Sequence, residues 1–215
     1  MKNTLLFLLL FSLFPLKVAA QGGEVSRIDY NSVSNRRVIT LPSNPYCFAV
    51  RTNLLYDAFL MPTLGVEWRV NRHIGIKVDG SYGYWGDEHG KVQKAWLVSP
   101  EVRWYLLDSK RFYLGLGANV SEYNIYQGML GGLFSDDIGY QGKLYGGGLT
   151  LGYQLPLSDS FTIDFNLGLG YTGFEYDSFS VTDETRVYKE RDQTKNFWGP
   201  TQAGISLVWT IGGGK

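Results

Sequence analysis

Along residues 161–171, FTIDFNLGLGY, every odd position is large and apolar, while Thr162, Asp164, Asn166, Gly168 and Gly170 fill the even ones. Successive side chains of a β-strand point to opposite faces, so this spacing predicts a strand with one dry face and one polar or small-residue face. The same alternation recurs over residues 47–57, 63–70, 74–85, 94–106, 111–124, 142–156, 161–174 and 199–211, which predicts eight strands. Short connections at 71–73, 108–110 and 158–160 alternate with long polar or glycine-rich ones at 86–93, 126–141 and 175–197. The connection at 58–62 is the exception, being short on the side of the long loops. An even number of strands, with tight turns at one end and longer loops at the other, is the pattern of an outer-membrane barrel. The expected fold is therefore all-β, an eight-stranded antiparallel transmembrane β-barrel with up-and-down topology over residues 47–212.

Parity sorts the strands into two faces. One carries Val50, Leu54, Leu64, Val66, Trp68, Ile76, Val78, Val98, Val102, Leu114, Leu116, Leu149, Leu151, Ile205 and Leu207, and no charge. The other carries Arg51, Asp57, Glu67, Arg69, Lys77, Asp79, Glu101, Arg103 and Asp164, with the two signs nearly matched. A charge facing lipid near the bilayer midplane costs about 2–4 kcal/mol, so this segregation points the charged face into the lumen. Eight strands leave a bore only wide enough for side chains, and the charges are expected to fill it as a connected ion-pair network. The opposite arrangement is a soluble barrel with its apolar face inside, but the aromatics argue against it. Trp68, Trp104, Phe112, Phe161 and Trp209 fall at one end of the strands, and Tyr56, Tyr84, Trp96, Tyr145 and Tyr171 at the other. Amphipathic rings gather where hydrocarbon meets headgroups, and a soluble core has no reason to sort them into two bands.

The first twenty residues set the compartment. Lys2 precedes the apolar run 5–16, and Val18, Ala19 and Ala20 supply short residues before a cut. This predicts a secretory signal peptide over residues 1–20, cleaved before Gln21, followed by a polar periplasmic segment over 21–46. Gln202, Gly204, Leu207 and Trp209 stand in the order polar, glycine, hydrophobic, aromatic, at spacings that resemble the terminal signal read by the barrel-assembly machinery. The expected location is the bacterial outer membrane, with its lipids and lipopolysaccharide as surroundings.

Formal net charge is zero among 215 residues, so nothing draws the chain to nucleic acid. Cys47 is the single cysteine and is read as a small apolar residue, with no metal site expected. Gly146, Gly147 and Gly148, like Gly115 and Gly117, lie inside strands where glycine gives room for long neighbours, so they are not phosphate-binding loops and no cofactor is expected.

The stretches 51–58 (RTNLLYDA), 96–105 (WLVSPEVRWY), 144–148 (LYGGG) and 199–207 (GPTQAGISL) resemble a family of small Gram-negative outer-membrane barrels known only as a domain of unknown function. The likeness runs over residues 35–211. It implies the fold and the location, and it carries over no catalytic residue. Some members look like accessories of surface fimbriae, which implies a surface or fimbrial protein partner.

Candidate chemistry is sparse. His73 belongs to a tight turn, and His89 to the acidic loop Asp87, Glu88, His89. With those carboxylates and Ser81, His89 offers a hydrolase-like set on the side where lipid-modifying barrel enzymes work, which is the alternative function. Asp87, Glu88, Asp136 and Asp137 offer hard oxygen ligands without a calcium-loop spacing. The reading that best fits the sequence is a non-enzymatic barrel whose outer loops form a surface or partner-binding platform. A pore conflicts with a charge-filled bore.

Overall fold

The computed structural model describes residues 48–88, 91–107, 109–125, 138–182 and 185–211. Residues 1–47, with the expected signal peptide, the segment 21–46 and Cys47, lie outside this set. So do His89, Asp136 and Asp137.

Eight strands follow one another: β1 (Phe48–Asn53), β2 (Thr63–Arg69), β3 (Ile74–Glu88), β4 (Lys91–Leu106), β5 (Phe112–Ile125), β6 (Gly139–Pro156), β7 (Phe161–Thr182) and β8 (Thr185–Ile211), with a short helix α1 (Leu54–Ala58) after β1. Each strand pairs antiparallel with its sequence neighbours, and β1 pairs with β8 through six residues, Phe48 opposite Ile211 to Asn53 opposite Ser206. The result is a closed, up-and-down ring. Among the described residues no helix is long and apolar enough to cross a membrane.

Strand length differs from expectation at the end of β1 and in two of the long connections. The first strand stops at Asn53 instead of running to residue 57. Asn53, still extended, is the N-cap of α1 and accepts from the Leu55 N–H at 3.2 Å, so the chain leaves the strand just after it. Asp57 then ties the turn together, accepting from the Thr52 hydroxyl at 2.6 Å and the Thr63 N–H at 3.0 Å. The expected loops 86–93 and 175–197 are instead mostly strand, because β3 and β4 pair as far as Glu88 opposite Lys91, and β7 and β8 as far as Thr182 opposite Thr185. Cross-strand aromatics support that long hairpin: Phe179 lies opposite Tyr188, with the Arg186 and Arg191 guanidinium groups 4.6 Å and 4.4 Å from their respective rings. A register shift between Tyr176 and Ser178 is accommodated by Asp192 at φ +55°, whose N–H donates to Asp177 Oδ1 at 2.9 Å.

The rim is therefore lopsided. Tight turns close one end evenly, whereas at the other end β1 and β2 stop early and β6 to β8 continue far beyond them. The turn-end connections are fixed locally, as where Asn71 Oδ1 accepts from the His73 and Ile74 N–H groups at 2.7 and 2.9 Å. His73 itself is exposed in that turn.

Candidate functional site

Inside the ring, alternation places one side chain in two from every strand, and the charged ones converge. Arg103, on β4, is fully buried and meets three carboxylates: Glu101 Oε1 at 2.6 Å, Asp164 Oδ2 at 2.7 Å and Glu67 Oε2 at 3.0 Å. Arg51, on β1, reaches Asp164 Oδ2 at 2.9 Å, Glu67 Oε2 and Asp79 Oδ1 at 3.3 Å, and donates to Ser206 Oγ at 2.9 Å. Lys77 lies 3.0 Å from Asp79 and 3.6 Å from Glu101. Arg69 sits 3.6 Å from Glu67 and donates to Gln154 Oε1 at 2.9 Å. Four cations thus face four carboxylates, and the cluster is neutral. Net neutrality matters because an uncompensated charge in such a place costs several kcal/mol.

Two tyrosines seal this cluster toward the turn end. Tyr105 donates to Glu67 and Tyr113 donates to Asp164 Oδ1 at 2.8 Å. Their rings lie against one another, and the Arg69 and Arg103 guanidinium groups stand 3.4 and 4.2 Å from the Tyr105 and Tyr113 centroids. Space for these long chains comes from glycine on the facing strands. A Cβ at Gly115 would lie 2.9 Å from Glu101 Cδ, and one at Gly152 would enter the Tyr113 ring. Toward the open end the interior becomes uncharged and hydroxyl-rich: Thr63 with Ser81 at 2.8 Å, Ser99 donating to Asn119 at 2.7 Å, and Gln202 donating to Glu101 and Thr150.

Eight of the nine residues expected to form the lumen network meet here. The ninth, Asp57, does not, because α1 lifts it off the strand and its carboxylate holds the turn described above. Sequence reasoning missed Tyr105, Tyr113, Gln154, Gln202 and Ser206 as members. The signal was available: each lies on the face of its strand opposite the apolar set. At the expected assembly signal, Gln202 and Gly204 point inward, Gly204 against Asn166, and Leu207 and Trp209 point outward.

The outer wall has the opposite character. Exposed apolar side chains cover it, among them Leu64, Val66, Val102, Leu116, Leu149, Leu151 and Leu169. At the turn end, register places Phe48 beside Trp68, Ile74 beside Trp104, Phe112 beside Tyr153 and Phe161 beside Trp209, all facing outward. Three of these neighbours contact as ring pairs, at 6.3 Å for Phe48 with Trp68, 4.7 Å for Phe112 with Tyr153 and 6.4 Å for Phe161 with Trp209. Toward the open end a second aromatic level contains Tyr82, Tyr84, Trp96, Tyr145, Tyr171 and Trp198, the last 78% exposed. Tyr56 does not join it, since it lies on α1 and not on a strand. Among the described strand residues, outward-facing charges lie at and beyond this level, with Lys94, Glu122, Lys143 and Glu175.

A closed eight-stranded barrel with a neutral ionic interior and an apolar outer wall is the class that these features define. The chain belongs to a family of proteins of unknown function (DUF3575), whose profile matches residues 35–211. No curated protein and no solved structure matches the chain.

Proposed function

We propose that this protein is a non-enzymatic outer-membrane β-barrel, plugged by its own ion cluster, that holds a raised strand platform at the cell surface. The outer wall carries the reading: an uncharged apolar zone lies between two aromatic levels, while the charges of the same strands are turned inward. In water such a wall would be an exposed apolar surface far larger than soluble monomers tolerate, whereas in lipid it is the required exterior. The strand segments between the aromatic levels, such as 161–171 of β7, match the roughly 9–11 residues that a tilted strand needs to cross a bilayer. With the tight turns toward the periplasm, the extensions of β6 to β8 stand outside as the platform, available to a surface or fimbrial protein partner.

The interior supports a structural role instead of conduction. Every ion in it is committed to a counter-ion, and the tyrosine pair closes the turn end. The test is fractionation of the exported protein together with its gel mobility before and after boiling. Recovery in the outer-membrane fraction, with migration that changes on heating, is the expected result. A soluble periplasmic protein whose mobility ignores heating would refute the proposal.

A further inference from the structure

Two adjoining cavities on the outer wall are unequal in polarity. The lower, of about 350 Å³, lies over Gly80, where the missing side chain leaves a furrow between Leu64, Tyr82, Trp96 and Val98. A Cβ there would meet only the Leu64 carbonyl, at 3.8 Å, so the furrow is open. The upper, of about 580 Å³, shares Tyr82 and Trp96 with the lower and adds lysine, carboxylate and amide side chains beside Tyr123 and Tyr176.

Register explains the upper cavity. Tyr82, Trp96, Glu122, Lys143 and Glu175 lie side by side across β3 to β7, one per strand. One step further out, Lys94, Asn124, Gln141 and Asp177 form a second row across β4 to β7. Glu122 is held between Trp96, whose Nε1–H donates to it at 3.3 Å, and Lys143 at 3.7 Å. Both charged chains of that pair remain more than half exposed, so they are available to a ligand.

We propose that this wall seats one zwitterionic phospholipid, with an acyl chain in the Gly80 furrow and a phosphoethanolamine headgroup on the charged rows. This rests on the membrane reading and specifies a lipid for it. Lys94 and Lys143 meet the phosphate, while Glu122 and Glu175 meet the ammonium, with the Trp96 and Tyr82 rings at the junction of chain and headgroup. Neighbouring strands hold facing side chains about 5 Å apart, the scale of the two-carbon bridge between the charges of that headgroup. The balance of charge selects against a wholly anionic lipid, because the upper cavity has two lysines against the carboxylates of Glu122, Glu175, Asp177 and Asp192.

The test uses the full chain folded in detergent micelles, with native mass spectrometry of adducts formed with dioleoylphosphatidylethanolamine, dioleoylphosphatidylglycerol and a diphosphorylated lipid A. The ethanolamine lipid is expected to be retained at the highest collision energy. Lys94→Glu and Gly80→Leu are each expected to weaken its binding about two- to fivefold, the effect of one exposed charge contact or of losing part of the chain's apolar cover. Equal or stronger retention of either anionic lipid overturns the proposal, as does indifference to both variants. Lys94→Glu alters only an exposed side chain and decides the matter even where Gly80→Leu does not fold. Heat-modifiable migration of the unmodified protein reports on the membrane reading separately, so the two can fail independently.

Discussion

Replacing Arg103 by Met removes the most connected ion of the interior while keeping an unbranched chain of similar reach. Three contacts between 2.6 and 3.0 Å disappear, all among side chains with no solvent exposure. Glu67, Asp79, Glu101 and Asp164 are then left with Arg51, Arg69 and Lys77 among them, so three cations face four carboxylates. Breaking a buried pair by deleting one partner costs about 3–5 kcal/mol, most of it the desolvation of the charge left behind. The assay is equilibrium unfolding in urea of the protein refolded into micelles, followed by tryptophan fluorescence and by the fraction that migrates as the folded form. Arg103→Met is expected to lose that 3–5 kcal/mol. Adding Asp164→Asn restores three against three while leaving an amide for Tyr113 and Arg51. The double variant should therefore be more stable than the sum of the single losses by more than about 1 kcal/mol. An unchanged midpoint for Arg103→Met, or strict additivity, would show that the cluster does not act as a coupled neutral unit.

Other consequences can be checked more briefly. Leu116→Arg places a charge on the apolar wall at a 65% exposed site and, on the proposed membrane reading, should destabilise the protein in vesicles by about 2–4 kcal/mol, read by the same unfolding titration. Gly152→Val drives a branched side chain into the Tyr113 ring and should reduce refolding yield sharply, whereas Gly86→Ala, with open space around its Cβ but at φ +134°, should cost about 1 kcal/mol through backbone strain alone. Planar-bilayer recordings should show no large steady conductance from the unmodified protein. His89→Ala should leave the lipid A profile of the producing cell unchanged if the barrel is not a lipid-modifying enzyme.

Alternation alone was enough to separate the inward from the outward residues of β2 to β7, because each side chain on those strands keeps its parity through the wall. It could not locate Asp57, since the departure from the strand is made by the Asn53 cap, a local competition between side chain and backbone that periodicity does not register. The long β7–β8 hairpin was hidden for a different reason. Register shifts at Tyr176, Ser178 and Phe179 break the period of two, and the charged run Lys189, Glu190, Arg191, Asp192 reads as a loop even though Arg191, like Arg186 before the run, lies over an aromatic ring. Which inward residues join the ion cluster depends on distances across the bore. Parity places Gln154 and Ser206 on the correct face but says nothing of their reach to Arg69 and Arg51.

The seam between β1 and β8 is short, only six residues deep, although β8 itself is twenty-seven residues long. Arg51 lies on the inner side of that seam and binds groups from β2, β3, β7 and β8 at once. Until the last strand arrives, neither Asp164 nor Ser206 can be in place for it, so an open sheet holds a guanidinium that still belongs to water. Closing in the wrong register would strand that cation against a non-matching wall. The matched register is thus favoured by the counter-ions and hydroxyl that it alone brings to Arg51.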